Sequence, residues 1–352
     1  KIRMMVSSEG FKPMKHHADG RGYPHFYKKT HYLDRGDPNK KGEVIEQGFL
    51  PLLMRNGKSS KHWQKPLPEG ARTSGKRMAL ARWLTDVEDG AGYLLARVIV
   101  NRLWLHHFGQ GLVATPNDFG WQSEPPSHPE LLDWLALRLI ENGWKLKPMH
   151  RLILSSATWR QDSGFSQEKA GKDLENRLLW RFSPRRLDGE VIRDSLLSVS
   201  GMLDDTMYGK GSLDERSRRR SVYFMIKRSK LIPVMQLFDA PEPLVSQGKR
   251  MNTTIAPQAL MFMNSRNVRE YARNLAGDLS KNAGDDLGKA VVTGYETVLG
   301  REPFEDELSA TLGFLKVQEG SYAEEKQTNP RLLALTDFAQ TLFGLNEFSY
   351  LR

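Results

Sequence analysis

Apolar residues recur at helical spacing along most of the chain, and that pattern predicts where the helices fall. The densest run is Tyr93 to Phe108, apolar on nearly every side and interrupted only by Arg97, Asn101, Arg102, His106 and His107. A helix of that kind is buried, so its few polar groups need partners. Lys76 to Asp86 shows the same period upstream. Downstream, Ser127-His-Pro-Glu130 has capping-box spacing and opens a predicted helix from Glu130 to Asn142, closed by Gly143. Lys147 to Ser155 predicts a shorter helix, and Asp188 stands where it would cap one over Gly189 to Ser200, ended by Gly201. Pro257 marks a helix start that Gln258 to Asn264 continues. Further periodic stretches lie at Lys289 to Leu299, Glu305 to Val317 and Arg331 to Phe343. Ser221 to Ile226 reads as the clearest strand.

Residues 1–72 follow no such period. Frequent turn residues and short apolar stretches, such as Gly48 to Leu53, predict an extended arm with a strand or two laid on another body. Arg35-Gly36-Asp37 within it reads as a turn. Gly277 to Lys289 is dominated by Asp, Gly and Lys and reads as a hinge. The expected fold is mainly α: an N-terminal arm (1–72), a central multi-helix core with a short β element (73–276), and a C-terminal helical tail packed on it (277–352).

Composition narrows the chemistry. The chain contains no cysteine, which removes disulfides, thiolate metal sites, thiol nucleophiles and, here, covalent haem attachment through C-x-x-C-H. No window approaches the roughly 20 apolar residues of a membrane span. The chain opens on Lys1 with no signal series, so it reads as a fragment or processed product. A net charge of +10 opens the way to anionic glycan, lipid or nucleic acid as partners.

Candidate chemistry gathers between Arg97 and His128. Arg97 and Asn101 share one helix face and Arg102 and His106 another; a turn-rich loop then carries Asn117, Asp118, Trp121, Glu124 and His128. Two readings stand open. In one, His106 or His107 is an acid or base, oriented by Asp118 or Glu124, with Arg97, Asn101, Arg102, Asn117 and His128 binding a ligand. In the other, the same groups form a buried network that pins the loop, the arginine forks taking Asp118 and Glu124. His106 or His107 with His128 and a carboxylate would also suit a metal. The spacing matches no metal motif, adjacent His106 and His107 splaying about 100° apart on a helix, and no metal ligands are assigned.

A second feature is basic: Arg186, then Arg218, Arg219 and Arg220 ahead of the predicted strand. It suits a cationic strip for anionic glycan or phosphate, or equally a charged edge strand or a face docked on an acidic neighbour. Most tryptophans sit at core-like spacing; Trp121, in the loop, is the one placed to stack on a ligand. Ser155-Ser156 lacks the nucleophile elbow, and no phosphate-binding glycine loop is present.

Several segments together resemble one family. RVIVNRLWLHHFGQGLVATPNDFGWQSEPPSHPELLDWLA (Arg97 to Ala136), LILSSATWRQ (Leu152 to Gln161), NRLLWRFSPRRLDGEVIRDSLL (Asn176 to Leu197), TTIAPQALMFMNS (Thr253 to Ser265) and LTDFAQTLFGLNEFSY (Leu335 to Tyr350) are similar to the domain-of-unknown-function 1553 family. The resemblance implies an extracytoplasmic setting: such domains close large secreted bacterial proteins, prominent in planctomycetes, that begin with a cytochrome-c-like region and a second uncharacterised domain. It therefore implies haem c in an upstream domain, no cofactor in this chain, and those upstream domains as partners. It carries no catalytic residues. Phe304 departs from the family pattern, standing where Ser or Thr caps the helix ahead of Glu307. The expected function is an accessory module of a secreted, cytochrome-linked protein, docking the haem domain or binding anionic polysaccharide. A glycan-active enzyme using the Arg97 to His128 cluster is the alternative, and nucleic-acid binding rests on charge alone.

Overall fold

The computed structural model describes residues 30–37, 39–67, 69 and 75–351. The chain divides into two compact units, Lys1–Ser156 and Ala157–Arg352. That division falls inside the span 73–276, which the sequence reads as one core. The architecture is mainly α with small β elements, as the apolar periodicity implies.

The first unit opens with an antiparallel hairpin of β1 (Thr30–Leu33) and β2 (Lys41–Ile45), Thr30 facing Ile45. Arg35-Gly36-Asp37 lies in its turn, with Arg35 and Gly36 at φ 51° and 77°. Helix α1 (Lys76–Thr85) packs its buried Ala79 and Trp83 into a small aromatic cluster with Phe49, Trp63 and Ala91, where Phe49 stacks on Trp83 at 5.0 Å. Helix α2 (Gly92–Phe108) is the run that the sequence marks as apolar on nearly every side, and only Arg102 and His106 of it are exposed. It packs on α3 (Pro129–Glu141) and α4 (Leu146–Leu154), which bury Leu132, Leu135, Leu139, Met149 and Ile153.

The capping box expected at Ser127 does not form. Helix α3 starts at Pro129 with His128 before it and no side-chain cap. Ser127 is spent elsewhere: its N–H donates to Leu112 O (2.8 Å) and its hydroxyl pairs with His128 Nδ1 (3.0 Å).

The second unit holds α5 (Gln167–Lys172), α6 (Gly189–Val199), α7 (Pro233–Leu237), α8 (Ala256–Asn264), α9 (Arg266–Ala283), α10 (Leu287–Leu299), α11 (Glu305–Glu324), α12 (Pro330–Gly344) and α13 (Asn346–Ser349). Its core is built round α12, which packs against α8, α9, α10 and α11 and buries Leu335, Phe338, Leu342 and Phe343. The C-terminal helices are thus central to this unit. A short ribbon, β3 (Arg185–Arg186) with β4 (Tyr350–Leu351), ties the start of the unit to its end.

Three sequence expectations need correcting here. Ser221 to Ile226 is not a strand: Ser221–Tyr223 forms a single 3-10 turn, because Asp194 Oδ1 accepts both the N–H and the hydroxyl of Ser221 at 2.7 Å. Gly277 to Lys289 is no hinge, since α9 runs through Gly277 to Ala283 and Asp286 at once caps α10 through Lys289 N–H (3.0 Å). Asp188 precedes α6 but makes no cap bond, and its carboxylate lies 3.7 Å from Arg250 instead.

At Phe304 half of a capping box survives. Glu307 accepts the Phe304 N–H (2.8 Å), and the forked Arg301 guanidinium clamps that carboxylate (2.7 and 2.8 Å) together with Glu347 (2.8 and 2.9 Å). Arg301 holds the Glu307 carboxyl below its ordinary 4.5. A depressed folded pKa stabilises the fold above the unfolded value and is lost as pH falls through the folded value. Melting temperature should therefore drop as pH falls below about 4.5, and Glu307→Gln should flatten that drop; parallel melting curves for the two proteins would remove the clamp from this role.

Helices α10 and α12 approach closely at Gly294, where an added Cβ would lie 2.7 Å from Phe338 Cε1. Gly294→Val should cost about 1–3 kcal/mol of stability by overpacking, measured by urea denaturation; a neutral result would mean the ring moves freely aside.

Candidate functional site

The residues from Arg97 to His128 lie on α2, on the loop that follows it, and at the start of α3. Asn101 is wholly buried, at 0% exposure, and its amide forms a two-way bridge to the loop: Nδ2 donates to Val113 O (3.1 Å) and Oδ1 accepts Val113 N–H (2.9 Å). Gly111 lies so close to this bridge that a Cβ would meet Val113 O at 2.5 Å and Asn101 Oδ1 at 2.8 Å. Ser127 N–H to Leu112 O then closes the loop at its base, giving a compact Ω-like excursion.

Inside the loop the turns are fixed by side chains. Thr115 Oγ1 donates to Asp118 O (2.7 Å), Asp118 Oδ1 accepts Gly120 N–H (2.8 Å), and Ser123 Oγ donates to Gly120 O (2.7 Å). At the tip of this braced frame stands Trp121, 101% exposed. An indole held fully in water by an ordered loop has no part in the core, and its planar face is free to stack.

The other sequence-derived residues disperse among separate partners. Arg97 pairs with Asp133 of α3 (3.0 Å), not with Asp118 or Glu124 as the arginine fork suggested. Asp133 also accepts the Tyr93 hydroxyl, and burial together with this carboxylate pushes the phenol pKa up. Arg102 donates to Asn117 Oδ1 (2.8 Å). His107 Nε2 lies 2.9 Å from His150 Nδ1 on α4, a partner the sequence gave no reason to single out. His106 and Glu124 are exposed, and His128 turns to Ser127. Among the described residues, the His and carboxylate group whose ligand atoms come within 4.8 Å is His62, Asp86 and Asp89, outside the set considered from the sequence. Its oxygens are already engaged: Asp86 by Trp63 Nε1 (2.9 Å) and the Glu88 and Asp89 amides, Asp89 by Asn56 (2.8 Å), with Lys58 at 3.8 Å supplying a cation.

The arginines that the sequence singles out in the second unit each have a partner. Arg186 is buried and donates to Asp239 (2.6 Å) and Asn252 (3.1 Å). Asp239, a non-glycine residue at φ 60°, also accepts the Thr253 N–H (2.9 Å) and hydroxyl (2.8 Å), while Arg250 donates to Asp239 O and to Glu190 (2.7 Å). Thr254 Oγ1 meets the Tyr350 hydroxyl at 3.2 Å. Segments 176–197, 253–265 and 335–350 therefore converge on one polar centre, whose hub Asp239 carried no signal in a single sequence. Arg218 pairs with Glu270 (3.1 Å), Arg220 lies 3.8 Å from Asp194, and Arg219 ties the carbonyls of Thr206, Tyr208 and Lys210 while its guanidinium sits 3.7 Å over the Tyr223 ring.

Of the remaining tryptophans, Trp104 is buried against Phe108, Trp159 packs on Phe182, and Trp180 donates to Asp173 O. Trp134 is exposed, with Arg138 5.2 Å above its ring.

The family described as "Protein of unknown function (DUF1553)" matches residues 76–315, and the chain belongs to that family. The match spans the braced loop and most of the arginine-tied centre. No curated protein and no solved structure matches the chain.

Asn101→Ala would leave the Val113 N–H and C=O unpaired in the interior, at a cost of about 2–4 kcal/mol. Asp118→Asn, which keeps an oxygen for Gly120 N–H, should change stability by under about 0.5 kcal/mol. Urea titration of both variants checks this; equal effects would refute the bracing role of Asn101.

Proposed function

We propose that this chain is a non-catalytic binding module for polysaccharide, an accessory part of a larger secreted protein in which it would stand beside haem-bearing domains of the same polypeptide. The observation that carries the reading is Trp121, fully exposed at the tip of a loop whose turns are held by Thr115, Asp118 and Ser123. A sugar ring offers an apolar face that stacks on indole, and a braced loop loses little entropy when it binds. Gln122, exposed beside the indole, can reach sugar hydroxyls. The net charge of +10 favours an anionic chain such as a uronic-acid glycan.

The polar residues round the loop favour binding over turnover. Asn101, Arg97, Arg102 and His107 each engage a different partner, as ties between neighbouring segments do. Arginines 218 to 220 are committed to Glu270, to backbone carbonyls and to Asp194. The ligand surface is thus assigned to the loop.

Calorimetric titration with uronic-acid, sulfated and neutral glycans and with DNA, at low and high salt, tests the reading. Glycan binding should persist at high salt, and Trp121→Ala should weaken it by about 1–3 kcal/mol, roughly 5- to 150-fold, with the melting temperature unchanged. Binding untouched by the substitution, or affinity for DNA and every anionic glycan alike that vanishes with salt, would overturn it.

A further inference from the structure

Between Tyr223 and Ile232 the chain leaves the second unit and returns to it as a narrow turn. At its base Ser212 N–H donates to Tyr223 O (3.0 Å) and Ser212 O accepts Met225 N–H (2.8 Å). The Arg193 guanidinium sits 4.5 Å over the Phe224 ring beside them. On the return side Ile232 is buried and leads straight into α7. Between these anchors Lys230 N–H donates to Lys227 O (3.0 Å), so Arg228 and Ser229 form the tip of a β-turn. Every residue from Met225 to Lys230 is exposed. A second exposed turn is fastened alongside, where Tyr208 N–H donates to the Tyr223 hydroxyl (2.8 Å). Two kinds of side chain share this surface. Ile226 is 82% and Val222 72% exposed, and Met207 and Tyr208 are exposed with them. Lys210, Lys227, Arg228 and Lys230 are exposed as well, and among the described residues their side chains take no hydrogen bond or ion pair. Neither 206–213 nor 221–232 contains an acidic residue.

We propose that these paired turns, 206–212 and 222–230, dock on the surface of an anionic lipid bilayer. The aliphatic side chains enter the headgroup boundary while Lys210, Lys227, Arg228 and Lys230 lie against lipid phosphates. The combination of side chains selects the occupant. An anionic leaflet attracts the cations, and the hydrocarbon beneath it takes up Ile226, Val222 and Met207. Tyr208 suits the boundary between the two, where one end of a side chain is apolar and the other wet. Nucleic acid or a soluble anionic glycan would satisfy the cations but leave the aliphatic groups in water. A protein partner would need an apolar pocket ringed by acids and shaped to the tip, whereas a fluid leaflet closes round any protruding turn. Arg218, Arg219 and Arg220, held by Glu270, backbone carbonyls and Asp194, stand behind this surface as its frame. The attraction of the cations is screened by salt, and the burial of the aliphatic groups is not, so part of the binding outlasts high salt.

Because the chain has no cysteine, Ser229→Cys places a single environment-sensitive dye at the tip, and Lys316→Cys, exposed on α11, serves as its control. The full chain is mixed with vesicles of phosphatidylglycerol and phosphatidylcholine, and with phosphatidylcholine alone. On the anionic vesicles the dye at 229 should shift to the blue while the dye at 316 stays unchanged. In flotation, Lys227→Gln/Arg228→Gln/Lys230→Gln should weaken binding by about tenfold or more. Val222→Ser/Ile226→Ser should remove the part that survives high salt, both variants keeping the parent circular dichroism spectrum. No binding to anionic vesicles, or binding with a silent dye at 229, overturns the proposal. So does equal affinity for DNA or a sulfated glycan that is indifferent to Val222→Ser/Ile226→Ser. Should either multiple variant misfold, the two dye positions decide alone.

Discussion

A buried amide has no water to fall back on, and the first unit is organised round one. Asn101 lies on a largely apolar helix, fully buried, where an unpaired side chain would cost several kcal/mol. It resolves this by borrowing both polar groups of one loop residue, Val113. That exchange fixes where the chain goes after α2 and demands a glycine at 111, since no Cβ fits beside the bridge. It also gives the loop a rigid base from which side-chain bonds at Thr115, Asp118 and Ser123 carry order out to Trp121. The exposed indole and the buried amide belong to one device: the second makes the first a fixed surface.

The second unit meets a different demand, joining long irregular segments between its helices. Here arginines act as struts. A guanidinium carries five donors and no acceptor, so it can gather several carbonyls at once, as Arg219 does with Thr206, Tyr208 and Lys210. Arg193 bonds Arg219 O and Ser221 Oγ from inside the unit, and burial lowers its pKa. Arg186 and Arg250 converge on Asp239 and Phe238. A count of arginines is thus a poor guide to which guanidinium forks are open to a ligand, since several of their donors are spent in holding backbone while the charge itself remains.

What could be read in the sequence follows from the range of the forces involved. Helix α2 was legible because its burial is written in consecutive residues, and α10, α11 and α12 because their apolar period is unbroken. Strands in the arm and the turn at Arg35 to Asp37 were also apparent, being set by local turn chemistry, though not that the two strands pair with each other. Ser221 to Ile226 misled because its residues favour strands, whereas a carboxylate supplied by α6 bends the segment into a turn. Ser127 misled likewise, its capping pattern losing to a carbonyl at Leu112. At the candidate site the exposure of Trp121 was visible, but the residues expected to act as one cluster disperse among separate partners. Asp133 and His150, which take Arg97 and His107, were not visible, because nothing local marks which residue of a neighbouring helix will stand opposite.

The ribbon between Arg185–Arg186 and Tyr350–Leu351, together with the central position of α12, bears on the order in which the protein is made. On a ribosome the first unit is complete once Ser156 has emerged, and domains generally fold as they appear. The second unit has no such option. Its opening segment and α6 must wait, with Ile192, Leu196 and Leu197 uncovered, until the helix that fills their core is synthesised near the far end. For that interval the nascent chain carries a folded unit followed by a long apolar stretch in search of its closure, and chaperone occupancy should concentrate there.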